Sequence, residues 1–311
     1  MRTSFRNSNV GALVELWNQF YPERYRIDEE LFRLNTIESP LFDWGASSVE
    51  MSDGRPVGFV CVKRSAAGLF RGPDKDQSHL CAIAYNDPLV GIDLLGDAKT
   101  LLRNRGQNRL VFSQDIRHFF PGCPEDFRAL HDFLTIEGFA EGGESVDLEG
   151  DLSSYSNPYP CPQGVEFRML READLASLEA FLLREFPGRW HYDVLSKARI
   201  EGVDNAVYGM LVDGKVEGFA LLQDSQCKLP IGGAVWRNDL GEGWGSLGPI
   251  GVSQHLRGQG LGHALLGAAL TRLKEKGARH SIIDWTNLVD YYGRHGFKPT
   301  RTYTAMSLKL D

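Results

Sequence analysis

The sequence predicts an α+β protein built from two domains of similar construction. The chain has 311 residues, about twice the length of an average domain. A proline-rich segment divides it near the middle, and the same turns recur in the same order on both sides. Within each half, strand and helix patterns follow a hairpin, which favours a mixed, mostly antiparallel sheet flanked by helices.

The domain boundary is predicted in residues 150–164, which hold three prolines and two glycines. Such a run continues neither a helix nor a central strand. We therefore expect an N-terminal domain at residues 1–152, a linker at 153–164 and a C-terminal domain at 165–311.

The two halves share four landmarks. The hairpin sequence D-G-R-P-V-G-F at 53–59 returns as D-G-K-V-E-G-F at 213–219, and Asp-Gly between apolar alternations is a strong hairpin signal. Three further pairs recur in the same order: Phe-Arg at 5–6 and 167–168, aromatic-Pro turns at 21–25 and 186–190, and Gly-Phe at 138–139 and 296–297. This order favours a gene duplication; the alternative is an unrelated α/β domain with chance matches.

Composition excludes several classes of protein. There are 34 Lys and Arg against 41 Asp and Glu, a net charge of −7, which argues against nucleic-acid binding through a basic surface. The first residues lack the apolar core of a signal peptide, and no stretch is long and apolar enough for a membrane span. The five cysteines form no C-x-x-C pair, which argues against a disulfide framework or a metal site. We expect a cytoplasmic protein with no metal.

In the second half, a glycine loop joins a predicted strand at 246–252 to a predicted helix at 262–276, and the next strand is predicted at 281–284. Three glycines alternate in and after the loop, at 258, 260 and 262, so the backbone can approach a ligand closely. The helix N-terminus offers free N–H groups and a partial positive charge, which suit a pyrophosphate. Arg257 adds a cation at the rim.

Two other uses of this loop are open at this point. A dinucleotide fingerprint lacks its third glycine, because His263 or Leu265 occupies that position, although Asp284 ends the next strand where a ribose-binding acid would be. The second alternative is a tight turn that uses glycine only for its backbone geometry. A P-loop is excluded, since the only Gly-Lys, at 214–215, precedes a valine.

The stretch G-P-I-G-V-S-Q-H-L-R-G-Q-G-L-G-H-A-L-L at 248–266 resembles motif A of the GNAT superfamily of acyl-CoA-dependent N-acetyltransferases, including its R-x-x-G-x-G element at 257–262. Downstream, D-Y-Y-G-R-H-G-F at 290–297 resembles the end of motif B. The resemblance covers residues 165–311 and reaches the first half through the repeat. It implies two GNAT-like domains in tandem, an arrangement similar to that of mycothiol synthase.

The resemblance also implies acetyl-CoA as co-substrate, with its pyrophosphate on the loop amides and its pantetheine arm along the edge of the strand before the loop. The residues that it assigns to the cofactor are Ile250, Gly251, Val252, Arg257, Gly258, Gln259, Gly260, Leu261, Gly262, His263 and Asn287.

Direct attack of an amine on the thioester needs a base for the amine and an acid for the departing thiolate. Tyr292 matches the tyrosine that often serves as the acid in this family. Asp284, at the end of the strand beyond the helix, and Glu242, before the cofactor strand, are the candidate bases. For either carboxylate, a solvated surface position is the alternative.

The first half lacks the loop. Seven residues separate Ile83 from Gly91, where eleven separate Ile250 from Gly262, and Asn-Asp-Pro at 86–88 replaces the amide donors. Leu134 occupies the position of the tyrosine. We therefore interpret residues 1–152 as a degenerate copy that does not hold CoA in the same way.

The resulting hypothesis is an N-acetyltransferase that moves an acetyl group from acetyl-CoA to a primary amine of a small molecule. A non-catalytic protein that senses acyl-CoA and a protein or peptide N-acetyltransferase are the alternatives. We expect a monomer with neither nucleic-acid nor membrane partners.

Overall fold

The computed structural model describes residues 1–65 and 77–310, which form two compact units. Unit 1 comprises Met1–Val146 and Arg301–Asp311, and unit 2 comprises Asp147–Thr300. The units therefore do not divide at the proline-rich segment: residues 153–164 belong to unit 2, and the end of the chain belongs to unit 1. Within the described ranges, no helix has the length and apolar character that crossing a membrane requires.

The strands are β1 Arg2–Thr3, β2 Ser48–Ser52, β3 Arg55–Arg64, β4 Gln77–Tyr85, β5 Arg109–Phe112, β6 Cys123–Pro124, β7 Ala140–Asp151, β8 Val165–Met169, β9 Val207–Val212, β10 Lys215–Asp224, β11 Trp244–Val252, β12 His280–Thr286 and β13 Lys298–Lys309. The helices are α1 Val10–Phe20, α2 Glu29–Asn35, α3 Pro88–Asn104, α4 Arg128–Ile136, α5 Leu175–Glu185, α6 Arg189–Glu201, α7 Val203–Ala206, α8 Arg237–Leu240, α9 Leu261–Glu275 and α10 Val289–Gly293.

Each unit is a mixed sheet flanked by helices, as the sequence predicts. In unit 1 the strand order is β1-β2-β3-β4-β5-β13, and in unit 2 it is β12-β11-β10-β9-β8. The pairs β4–β5 and β11–β12 are parallel, each joined through one helix, whereas the other pairs along these two paths are antiparallel. The α+β class and the tandem construction are thus confirmed.

The two Asp-Gly hairpins have the same turn. Asp53 and Gly54 have φ of 50° and 77°, and Asp213 and Gly214 have φ of 50° and 74°. Two successive positive φ values define the tight turn that matches the twist of antiparallel strands, and Asp-Gly is a favoured sequence for it. The next strand pairs also share a register, because Phe59 faces Ala84 as Phe219 faces Gly251.

The last alternating segment of each half lies in the unit formed mainly by the other half. In unit 1, β13 pairs with β5, with Ser307 opposite Val111. In unit 2, the end of β7 lies beside β12, where the Trp285 N–H donates to Asp147 Oδ1 over 3.1 Å. The alternation of these segments predicts strands but does not specify their partners, because pairing depends on contacts distant in sequence.

Candidate active site

The site in unit 2 begins where two parallel strands separate. The pairing of β11 with β12 ends at Ser246 opposite Ile282, whereas β11 continues to pair with β10 as far as Val252. Two residues of β11, Gly248 and Pro249, stand opposite a single residue of β10, so the strand bulges at this point. Among residues 1–65 and 77–310, no strand therefore pairs with the second half of β11 on the β12 side.

The alternation of β11 determines which backbone groups face this edge. The Ser253 N–H donates to Glu217 O over 2.9 Å, so Ser253 faces β10. Because successive residues of an antiparallel strand face opposite sides, Gly251 also faces β10, while Ile250 and Val252 face the opened side. The backbone groups of Ile250 are therefore positioned to pair with an extended ligand.

The loop after β11 is held by α5. The Gln254 N–H donates to Glu185 Oε2 over 2.9 Å, and Arg184 donates to Ser253 Oγ over 3.0 Å and to Glu217 Oε2 over 2.7 Å. Partial burial alone would raise the pKa of Glu185, but its hydrogen bonds from Arg184 and Gln254 lower it overall. The carboxylate is thus ionised and fixes the start of the loop.

The loop then forms a cradle of backbone amides. Gly258 and Gly260 have φ of 77° and 80°, a region that favours glycine, and a Cβ on either would meet no atom within 4 Å. Gly260 is the N-terminal cap of α9 and has no side chain to accept from the first amides of the helix. Arg257 is exposed beside it, with its Nε–H donating to Val252 O over 3.1 Å. These residues fit a pyrophosphate.

Tyr292 is placed by α10, and its side chain is buried, with 6% of the residue exposed. Burial raises the pKa of this phenol, and the nearby Tyr291 and Asp284 raise it further. Tyr292 therefore keeps its proton at neutral pH, as a general acid must before it acts. The interaction also shows that Tyr292 and Asp284 lie within electrostatic range of one another.

Asp284 lies on β12 beyond the last pair with β11, at the opened end of the strands. Burial raises the pKa of Asp284, while a hydrogen bond from the Gly233 N–H and the charge of Arg189 oppose that rise. A Cβ on Gly232 would lie 2.7 Å from the Asp284 carboxylate, so the backbone approaches this carboxylate as only glycine permits.

Gly232, Gly233 and Arg189 are site residues that the sequence did not reveal. The two glycines begin a short 3-10 helix, Gly232–Trp236, between β10 and β11, where the sequence carries neither a motif nor a periodic pattern. Arg189 belongs to a recurring aromatic-Pro turn, but nothing in the repeat links it to Asp284. It begins α6, donates to Asp193 over 3.2 Å, and lies with its guanidinium carbon 4.8 Å from the centre of the Trp285 ring.

The structure does not bring Glu242 to this site. Glu242 is exposed in the turn before Trp244, where β11 starts beside the start of β12. The eight residues from Glu242 to Ile250 span roughly 25 Å at the rise of a strand, so Glu242 lies at the end of β11 remote from the opened edge. Glu242 is close in sequence to the cofactor strand, but it precedes the end of that strand that is remote from the site.

Asn287 and His263 lie near the site in different settings. Asn287 is exposed between β12 and α10. The ring of His263 stacks on Tyr291 at 4.3 Å and on Tyr159 at 4.7 Å, and its Nδ1 lies 3.1 Å from His295 Nε2. The side chain of His263 thus packs among its neighbours, and only its backbone amide belongs to the cradle.

Comparison with known proteins agrees with this geometry. A model described as the Acetyltransferase (GNAT) family matches residues 175–297. A solved structure described as a GCN5-related glucosamine N-acetyltransferase region of a fungal multi-domain GH3 beta-N-acetylglucosaminidase is 22% identical, with a TM-score of 0.85 over 99% of this chain. This chain spans only 38% of that protein's chain. A search of curated proteins found no match.

Two further solved structures resemble the whole chain. A GCN5-related N-acetyltransferase from Sphaerobacter thermophilus is 14% identical, with a TM-score of 0.71 over 100% of this chain and 95% of its own. A tandem GNAT protein from the clavulanic acid biosynthesis pathway is 15% identical, with a TM-score of 0.71 over 100% of this chain and 98% of its own. The chain therefore has the fold of tandem GNAT proteins, and residues 175–297 match the Acetyltransferase (GNAT) family.

Proposed function

We propose that unit 2 is an acetyl-CoA-dependent N-acetyltransferase that acts on a primary amine of a small molecule. The observation that carries the proposal is the coincidence of three features at one end of β11 and β12. These are an opened strand edge, a helix N-terminus capped by Gly260, and the pair formed by Asp284 and the protonated Tyr292.

Three parts of acetyl-CoA have matching groups in this arrangement. The amides at the start of α9 and the exposed Arg257 suit the pyrophosphate. The outward backbone groups of Ile250 and the outward N–H of Val252 suit the amides of the pantetheine arm, which would pair with β11 as an added strand does, while the Val252 carbonyl already accepts from Arg257. The same free backbone suits the thioester oxygen, on which negative charge develops during attack.

The two side chains divide the proton transfers. Asp284, when ionised, takes a proton from the attacking amine, directly or through one water molecule. Tyr292 gives its proton to the thiolate that leaves when the carbon–sulfur bond breaks. The raised pKa of Asp284 makes this carboxylate a better base than an exposed aspartate, because basicity rises with the pKa of the conjugate acid.

Glucosamine is the first acceptor that we would test. The fungal region of similar fold is described as a glucosamine N-acetyltransferase, and an amino sugar is a small primary amine. A cytoplasmic location, where acetyl-CoA is available, and a monomeric state belong to the same proposal.

The test is acetyl transfer by the full-length protein, followed as release of free CoA thiol and as the mass of the acetylated product. A panel of amines led by glucosamine is compared with a basic peptide. We expect turnover on a small amine, and a loss of about tenfold or more in Tyr292→Phe with unchanged acetyl-CoA affinity. Tyr208→Phe, a buried tyrosine of β9, is the matched control.

The other outcomes separate the alternatives. Acetyl-CoA binding without transfer to any amine would favour a sensor of acyl-CoA. Transfer confined to the peptide would favour a protein or peptide acetyltransferase. Undiminished turnover in Tyr292→Phe would remove Tyr292 from the reaction.

A further inference from the structure

Unit 2 holds a second cluster of reactive side chains, near the C-terminal end of α6. Cys227 lies in the segment after β10, and its sulfur is 2.7 Å from Nζ of Lys197 on α6. The Lys197 side chain is 1% exposed, and its Nζ lies 3.0 Å from Oε1 of Glu201, which is 7% exposed. Neither Cys227 nor Lys197 takes part in the proposed acetyl transfer.

The separation of Cys227 and Lys197 is the informative quantity. An N–H···O hydrogen bond is about 2.9 Å long, and the larger sulfur atom requires more. At 2.7 Å the nitrogen and the sulfur are closer than a hydrogen bond to sulfur requires. They are also farther apart than any single bond of sulfur, since even S–S is about 2.05 Å. One bridging oxygen atom spans such a distance.

The cluster is also accessible to a small oxidant. A cavity of about 350 Å³ opens beside Lys197, Glu201, Gln223 and Cys227, and Cys227 is half-buried. Burial raises the pKa of the Cys227 thiol despite the neighbouring charge of Lys197, so the thiol is protonated at rest. Glu201 Oε1, 3.6 Å from the sulfur, is the carboxylate placed to accept that proton.

We propose that Cys227 and Lys197 are a redox modification site, in which hydrogen peroxide forms a reversible N–O–S bridge between them. One peroxide converts the thiol to a sulfenic acid and releases water. A second peroxide converts Lys197, after its ammonium has passed a proton to Glu201, to a hydroxylamine and releases water. The hydroxylamine oxygen then bonds to the sulfur as the sulfenic hydroxyl leaves with a proton as water.

The step is balanced. Thiol, amine and two peroxides give the bridge and three waters, with sulfur and nitrogen each oxidised by two electrons. Two molecules of a dithiol supply the four electrons and four protons that restore the thiol and the amine with one water.

The bridge would tie α6 to the segment that shapes the Asp284 site. Cys227 lies 3.6 Å from Gln223 Oε1, which accepts the Ile231 N–H over 3.0 Å. The next residues are Gly232 and Gly233, which contact Asp284. Oxidation would therefore restrict the motion of the glycine segment relative to α6.

The experiment treats the full-length protein with hydrogen peroxide, digests it, and maps the peptides by mass spectrometry. We expect one joined pair containing residues 197 and 227, heavier than the two peptides by one oxygen less two hydrogens, and lost on treatment with dithiothreitol. Cys161→Ser, which removes an exposed thiol, should retain the pair, and Cys227→Ser should lose it. The melting temperature of the unaltered protein should rise on oxidation and return on reduction.

Separate peptides with Cys227 carrying only sulfinic or sulfonic acid would overturn the proposal. So would a joined pair that has lost two hydrogens without gaining oxygen, because the bond would then run directly from nitrogen to sulfur. The mapping uses the unaltered protein and does not depend on acetyl transfer, so its failure leaves the proposed function untouched.

Discussion

The two units share a strand–helix junction and differ in what that junction leaves free. Two residues connect β4 to α3 in unit 1, whereas eight connect β11 to α9 in unit 2. In unit 1 the carboxylate of Asp87 caps the helix by accepting the Leu89 N–H over 2.9 Å, and Pro88 has no N–H to offer. In unit 2 Gly260 caps the helix without a side chain. One N-terminus is thus occupied by the protein's own anion, while the other is free to bind one.

The opened strand edge shows the same contrast. Ile83 stands on β4 where Ile250 stands on β11, because they face Val60 and Ala220 at equivalent points of the two hairpins. In unit 1 the hydroxyl of the buried Tyr21 donates to Ile83 O over 2.9 Å.

The repeat places Phe186 where unit 1 has Tyr21, and a phenylalanine has no hydroxyl to donate. The comparison shows that one side chain decides whether the backbone carbonyl at this strand edge is occupied by the protein or is available to a ligand.

The largest expected effect tests the helix cap. Gly260→Glu places a side chain and a negative charge in the cradle, so we expect acetyl-CoA affinity to fall by about 100-fold or more, the cost of a few kcal/mol. Gly214→Glu is the matched control, because Gly214 is also exposed, has φ of +74° and has no neighbour within 4 Å. Equal losses in both variants would show that strain, rather than the cradle, lowers the affinity.

The next effect concerns the base. Asp284→Asn should lower kcat by about 100-fold. Because burial raises the pKa of Asp284, activity of the unaltered enzyme should fall as the pH drops through that raised value, and the Asn variant should lack this limb. A variant with full activity and the same pH profile would exclude Asp284 as the base.

Stability should change in the opposite direction at this position. A pKa raised in the folded state means that the ionised carboxylate is disfavoured there, so stability is lost as the pH rises through that pKa. Asp284→Asn should therefore melt at a higher temperature than the unaltered protein at neutral pH, and the difference should shrink in acid. Thermal unfolding across pH measures both curves.

A smaller effect is expected from giving unit 2 the residue of unit 1. The Cζ atom of Phe186 would lie 2.4 Å from a Cβ on Gly251, so the hydroxyl of Phe186→Tyr would be directed against β11. We expect acetyl-CoA affinity to fall by about tenfold. Unchanged affinity with unchanged thermal stability would show that the edge of β11 does not hold the ligand.

Tyr21→Phe in unit 1 is expected to leave acetyl-CoA affinity unchanged. Tyr21→Phe leaves the buried Ile83 carbonyl without its donor, which should lower the free energy of unfolding by about 1–3 kcal/mol. Denaturant titration measures that loss, and acetyl-CoA titration should show the affinity of the unaltered protein. A change in affinity would mean that unit 1 contributes to the ligand site.

Local signals in the sequence predicted much of this contrast. The Asp-Gly turns, the strand before the loop and the helix after it follow from residues adjacent in sequence, and the observed α9, Leu261–Glu275, lies within one residue of the prediction at each end. The Asn-Asp-Pro segment predicted that the helix N-terminus in unit 1 does not bind a phosphate. The structure gives the reason, because the Asp87 carboxylate already accepts from the helix and Pro88 has no N–H.

Other features depend on contacts that no local pattern encodes. The Gly233 amide reaches Asp284 from a short 3-10 helix between β10 and β11, and Tyr21 reaches Ile83 across 62 residues. Glu242 precedes the cofactor strand in sequence, but the opened edge lies at the other end of that strand, because nearness in sequence does not indicate which end of a strand carries the site.

The most direct test of the central claim is the stoichiometry of acetyl-CoA binding to the full-length protein, measured by titration calorimetry. We expect one site per chain, because, of the two strand–helix junctions compared above, the one in unit 2 alone leaves free both its helix N-terminus and the backbone of its edge isoleucine, Ile250. Two sites per chain would contradict the contrast between the units. No binding would contradict the acetyl-CoA site itself.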